Sequence, residues 1–208
     1  MLDRILAGVD RALAYKLMLA HIFIIAVSNY IVQFKFNVFG HPLAAAAFTF
    51  PLVVVLTDLT VRLIGKETGR AVINLAFIPA ILVSMLVVKL GGAPDSVALR
   101  IGLGSGVAYF VSNLLDVYVF QYFREKYSTW WIAPALSCVF STFIDTYVFF
   151  FTAFAYGANE FMAANWHIVA TNNSWAKILV SLLVILPFYG ILLNKLQARF
   201  EKPAEIAT

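Results

Sequence analysis

Six apolar stretches, each about as long as a bilayer is thick, restrict the fold of this chain more than any other feature. They run approximately over residues 17–34, 42–61, 71–90, 100–121, 130–153 and 176–194. A helix of about 20 residues crosses a hydrocarbon core about 30 Å thick, and inside lipid every backbone polar group must be bonded within the protein. The sequence therefore predicts an all-α integral membrane protein, a six-transmembrane-helix bundle occupying residues 1–208 as a single membrane domain. Charged residues make up 12% of the chain, against about 25% in an ordinary soluble domain. The first stretch follows a polar start containing Asp3, Arg4, Asp10, Arg11 and Lys16, exceeds the apolar region of a signal peptide and has no small-residue cleavage site after it. It reads as a retained span.

An even number of spans puts both termini on one side. Eleven of the fifteen basic residues fall there: Arg4, Arg11, Lys16, Arg62, Lys66, Arg70, Arg124, Lys126, Lys195, Arg199 and Lys202. The remaining four, Lys35, Lys89, Arg100 and Lys177, are expected at span ends on the opposite side. Because cytoplasmic loops carry the excess of Lys and Arg, this distribution predicts cytoplasmic termini in a multi-pass inner-membrane protein. Anionic headgroups account for the net charge of +4, so no nucleic-acid partner is required.

Motifs for cofactors and metals are weak. His21, His41 and His167 lack ligand spacing, and Cys138 has no partner for a disulfide. Gly102-Leu103-Gly104-Ser105-Gly106 has neither the preceding strand nor the following lysine of a phosphate loop, and is expected to be a helix-packing face. No cofactor and no metal are expected.

The chemistry lies in polar residues inside the spans. Asp58, Asp116 and Asp145 each interrupt an apolar run. A carboxylate near the midplane costs roughly 2.5–3.5 kcal/mol on insertion scales and persists where a partner or a function holds it. Asn29 and Gln33 share a face of span one; Asp58 and Arg62 share one near the end of span two. For the first pair, interhelical hydrogen bonding is the alternative to substrate contact, and for the second a structural ion pair. Asn113 and Asp116 are three apart in span four, while Ser141, Thr142 and Asp145 line a face of span five. No basic residue lies within two turns of Asp145 in its own span, so another helix or a substrate must satisfy it.

Phe50, just before Pro51, and Trp131 at the start of span five are candidates for stacking on a flat solute, against an interfacial belt as the plain alternative. Pro51, Pro79, Pro134 and Pro187 are expected to open kinks inside their spans. Ser28-Asn29 recurs as Ser112-Asn113, and Phe50-Pro51 is echoed by Ala133-Pro134 at nearly the same offset. That spacing suggests two inverted three-helix repeats with a site between them. These patterns point to a carrier for a polar solute. A membrane-embedded enzyme acting on lipid or peptide and an assembly subunit are the alternatives from other classes.

Residues 28–34 (Ser-Asn-Tyr-Ile-Val-Gln-Phe), 48–62 (Phe-Thr-Phe-Pro through Thr-Asp-Leu-Thr-Val-Arg), 112–120 (Ser-Asn-Leu-Leu-Asp-Val-Tyr-Val-Phe) and 130–146 (Trp-Trp-Ile-Ala-Pro, ending Ile-Asp-Thr) resemble the YhhQ-like queuosine precursor transporters, also called the VUT family. The motifs follow in the same order from span one to span six. The resemblance implies a small-molecule cargo: 7-cyano-7-deazaguanine, 7-aminomethyl-7-deazaguanine or queuine. Where the family pattern has Asn or Ser near Asp145, this chain has Ser141-Thr142. A carboxylate accepts the adjacent N1–H and exocyclic amine of such a base together. Asp145 or Asp116 is expected in that role, with Asn29, Gln33, Asn113 and Thr142 reading the remaining edge and Phe50 or Trp131 stacking on the ring. Arg62 is expected to orient Asp58. A secondary carrier, alone or as a homo-oligomer, is the leading reading; a substrate-capture subunit of a multi-subunit transporter is the second.

Overall fold

The computed structural model describes residues 2–32, 34–38 and 41–205. A short helix α1 (Leu2–Ile5) precedes α2 (Arg11–Ile31), which starts where the Asp10 carboxylate accepts the Leu13 N–H at 3.1 Å. That bond satisfies one of the donors every helix start leaves over. Strands β1 (Lys35–Val38) and β2 (His41–Ala44) then pair antiparallel, with Lys35 opposite Ala44 and Val38 opposite His41. A 3-10 turn (Ala45–Phe48) leads into α3 (Phe50–Leu63), followed by α4 (Lys66–Leu90), α5 (Asp95–Lys126) and α6 (Ile132–Phe154). The last membrane element is α7 (Glu160–Val180), a π-helical turn (Ser181–Ile185) and α8 (Leu186–Glu205). Among the described residues six helices are long and apolar enough to cross a membrane, the last running Glu160–Gln197.

Three features depart from the sequence expectation. Residues 42–44, expected to open span two, form a strand instead. Pro42 fixes its own φ and pushes the preceding residue to extended backbone, which favours the hairpin over a helix start. The sixth span begins at Glu160 rather than near 176, so Lys177 lies inside a continuous helix and not at a span end. Finally, Pro51 and Pro134 sit in the first turn of α3 and α6 and kink nothing. There the missing N–H is one that the helix could not bond anyway. Pro79 is internal to α4, and Pro187 follows the π turn directly. Proline cannot donate to the carbonyl four residues back and its ring crowds that carbonyl, so the widened turn has a covalent cause.

Helix α5 is the centre of the bundle, packed between α4 and α6. Its glycines make this possible. A Cβ on Gly102 or Gly106 would collide with Met85 or Ile81 of α4, whereas Gly104 faces Ala153 of α6. Outward-facing Phe23, Leu82, Leu86 and Leu183 are exposed, as lipid contact requires. Gly65, at φ +125°, reverses the chain between α3 and α4 in a conformation L side chains rarely adopt. The interior is unusually polar for a membrane protein: His21, Asn29, Asp58, Asn113, Asp116 and Thr142 are all buried.

Candidate functional site

A cavity of about 740 Å³ is enclosed by α2, α3, α5, α6 and α7 and reaches the end of the bundle where α2 and α4 finish and α7 begins. Its polar lining includes Asn29, Ser105, Asn113, Thr142, Asp145, Asn173 and Lys177, and Phe50, Phe149 and Phe150 supply aromatic faces. That is the size range and the apolar-with-few-polar-groups character of small-ligand sites.

An ion pair between α6 and α7 sets the charge of this cavity. Lys177 Nζ lies 3.2 Å from Asp145 Oδ2 and donates to Thr146 Oγ1 at 3.3 Å. The same ammonium stands 4.9 Å from the centroid of the Phe50 ring, a cation–π distance. The side chains keep 13% (Lys177) and 25% (Asp145) of their surface, so the pair is largely desolvated yet reachable from the cavity. Asp145 therefore finds its partner on another helix, one of the two outcomes its sequence context allowed. Lys177 itself had been assigned to a span end. Met162, Val169, Asn173 and Lys177 all line the cavity and recur at helical spacing, so the periodicity of α7 carried the signal that a hydropathy window missed.

Asparagines on two other helices are tied into the frame. Asn29 donates to Ser84 Oγ at 2.8 Å and accepts from Ser105 Oγ at 3.4 Å, which joins α2, α4 and α5. Asn113 donates to the Tyr109 carbonyl at 2.8 Å, and its Oδ1 accepts from Thr57 Oγ1 at 3.2 Å. Interhelical bonding thus uses much of both amides, although both still border the cavity. Tyr109, also at the wall, shares a hydrogen bond of 2.8 Å with the buried His21 Nδ1.

Asp58 and Asp116 occupy a different place. Both are almost fully buried, 2% and 0% exposed, and their carboxyl groups face each other across α3 and α5 beside Ser137 and Ser141 of α6. Ser137 Oγ approaches Asp58 Oδ2 at 3.4 Å. Asp58 Oδ1 and both oxygens of Asp116 have no hydrogen-bond donor among the described residues. Neither lines the large cavity.

Of the residues singled out in the sequence, the cavity brings together Asn29, Phe50, Asn113, Thr142 and Asp145. Asp58, Asp116, Arg62 and Trp131 are not part of its wall, and Gln33 lies outside the described residues. The expected Arg62–Asp58 pairing does not form. Arg62 donates instead to the Trp130 carbonyl at 3.1 Å, because the turn before α6 leaves that carbonyl within reach. Trp130 stacks on Tyr189 with centroids 6.5 Å apart and rests on Gly190, although it keeps 41% of its surface against 47% for its neighbour Trp131.

A six-helix membrane bundle around a cavity with an ion pair in its wall has the architecture of a solute transporter. The chain belongs to the vitamin uptake transporter family, whose model matches residues 44–192. It is 37% identical over 203 residues to a queuosine precursor transporter of Escherichia coli K12, covering 92% of this chain and 91% of that one. A protein of Haemophilus influenzae Rd named a probable queuosine precursor transporter is 36% identical over 197 residues, covering 84% and 83%. No solved structure matches the chain. The family and both relatives are transporters, so the chain is a multi-pass membrane transporter and not the membrane-embedded enzyme that the aspartates alone would have allowed.

Proposed function

We propose that the chain imports 7-deazaguanine precursors of queuosine across the bacterial inner membrane as a secondary carrier, with the Asp145–Lys177 pair at the centre of its cargo site. The observation that carries this reading is the position of Asp145: it is the carboxylate that borders the cavity, with Phe50, Asn113 and Thr142 around the same space. Names of the two relatives supply the cargo class. The fit is chemical. A deazaguanine presents N1–H and an exocyclic amine side by side, and the Asp145 oxygens can accept both, since a carboxylate keeps lone pairs free beside one ammonium contact. Lys177 then points its remaining N–H bond toward the carbonyl of the base, while Phe50 or Phe149 covers a ring face.

Orientation follows from the basic loops. With both termini cytoplasmic, the cavity reaches the outer face, because it ends where α2 and α4 finish. An outward-facing cavity is the cargo-accepting state of a carrier that imports. The inverted three-helix repeats suggested by the sequence spacing would provide the geometry for alternating it with an inward-open one.

The test uses a bacterial strain that cannot make deazaguanines and carries this chain in place of its own carrier. Queuosine should appear in tRNA at nanomolar external 7-cyano-7-deazaguanine or 7-aminomethyl-7-deazaguanine. Asp145→Asn at equal membrane levels should abolish it. No recovery with well-inserted protein counts against this cargo, and binding without flux by the purified chain favours a capture subunit.

A further inference from the structure

We propose that Asp58 and Asp116 form a proton-binding site that couples cargo movement to a transmembrane proton gradient. The proposal deepens the transport reading, but its first leg, a proton held by the pair, stands on the carboxylates alone.

Two carboxyl groups from different helices face each other where water is excluded. Among the described residues no cation stands against either carboxyl. On α3, Arg62 donates to the Trp130 carbonyl at 3.1 Å and stands beside Tyr189. On α5, Arg124 donates to the Val61 carbonyl at 3.3 Å. Helix α6 presents Ser137, Cys138 and Ser141, and α8 presents Tyr189. Lys177 of α7 is engaged by Asp145, and on α4 Glu67 and Arg70 pair with each other at the exposed end. Like charges in such contact, without a cation, cannot both be ionised, and one shared proton removes the repulsion. It also turns one carboxyl oxygen into a donor for the other residue's orphaned oxygen.

A second cavity, about 10 Å³ in volume, lies against Asp58 beside Cys138, Ser181 and Tyr189 under the π turn. Its open surface is apolar, so it is a dry gap that keeps the pair from water on that side. π turns inside α-helices are frequent at functional sites. On its other side the pair is wired to the cargo cavity: Thr57 precedes Asp58 and bonds Asn113, which lies one turn from Asp116 and borders that cavity. Cargo touching Asn113 therefore bears on the α3–α5 contact that holds the two carboxyls together. A proton held by the pair is thereby joined to the cargo chamber through the Thr57–Asn113 bond.

Two measurements decide it. Infrared spectra of the purified transporter with ¹³C-labelled aspartate should show a protonated carboxyl band at neutral pH that Asp58→Asn and Asp116→Asn each remove. Absence of that band in the native protein overturns the proposal whatever the cargo is. In proteoliposomes, an inside-alkaline pH gradient should drive accumulation of 7-cyano-7-deazaguanine above its external concentration, with proton entry reported by an internal pH dye. Both amide variants should lose the accumulation while still exchanging labelled for unlabelled base, which shows that they are folded. Accumulation that ignores the pH gradient, or that follows a sodium gradient, also overturns coupling. A native protein that shows the carboxyl band but neither binds nor moves the base would sink the cargo reading and leave the proton site standing.

Discussion

The transporter holds two intramembrane pairs built on aspartate, and they differ in the group that stands opposite. Asp145 meets Lys177 across α6 and α7 on the wall of a cavity of about 740 Å³. Asp58 meets Asp116 across α3 and α5 beside a pocket of about 10 Å³. In the first pair opposite charges neutralise each other and leave an N–H bond and carboxylate lone pairs beside a solute-sized space. In the second, like groups face each other with no cation and with water shut out. The difference teaches that an intramembrane aspartate is defined by what stands opposite it. An ammonium makes a polar grip; another carboxyl makes a place for a proton.

Breaking the first pair should have the largest effect. Lys177→Met strands Asp145 in a largely desolvated wall, which costs about 3 kcal/mol of protein stability. The lost charged hydrogen bond to the base is worth about 1.5–3 kcal/mol, roughly 10- to 100-fold in affinity. Titrating 7-cyano-7-deazaguanine into the purified variant by thermal shift reads this directly. Asp145→Asn should cost a similar factor, and the double variant Asp145→Asn with Lys177→Met should regain protein stability but not binding. If the single Lys177 variant binds like the native protein, the ion pair is scaffolding and the comparison between the two pairs fails.

Next in size is the close packing that fixes both pairs on one frame. Gly106→Leu forces a side chain into Ile81, and overpacking of this kind costs roughly 1–3 kcal/mol. Since α5 carries both Asn113 and Asp116, the expected outcome is a lower melting temperature together with loss of both binding and proton coupling. A loss of only one function would mean that the two pairs move independently.

A smaller effect is expected where the two regions are joined. Thr57→Val removes the donor to Asn113 Oδ1, and a lost hydrogen bond of this kind is worth about 1 kcal/mol, or roughly 5-fold. Cargo affinity should fall by that factor, while the number of protons moved per base should fall further. Equal losses in both would show that the Thr57–Asn113 bond supports the wall and carries no coupling.

Much of this was legible in the sequence. Six apolar runs fixed the number of spans, and three aspartates inside them marked where polar chemistry had to lie. Lys177 was misplaced because Glu160, Asn165, His167, Asn172 and Asn173 lower the local hydropathy, so a window starts the span only after them. Of these Asn173 lines the cavity, while Glu160, His167 and Asn172 lie exposed on α7. The Asp58–Asp116 contact was not readable at all. It depends on how closely α3 and α5 approach, and no local pattern encodes that distance. The hairpin at residues 35–44 was hidden by an apolar composition that suits a helix equally well.

The smallest effect should come from Trp131, and its contrast with Trp130 is the finest test of where the cargo site ends. The two residues are adjacent and about equally exposed, yet it is Trp130 that stacks on Tyr189 and receives Arg62 on its carbonyl. Sequence gives no reason to prefer one. The backbone does, since Gly190 leaves room on α8 for a single indole. Trp131→Ala should leave deazaguanine uptake within about twofold, as an exposed residue away from the cavity requires. Trp130→Ala should lower the melting temperature, because a stacked aromatic pair is worth about 0.5–1.5 kcal/mol beyond its area. Uptake measured for both variants at equal membrane levels separates the two roles. If Trp131→Ala reduces uptake as severely as Lys177→Met, the cargo path passes the α6 entrance, and the division between a cargo chamber and a closed carboxyl pair has to be redrawn.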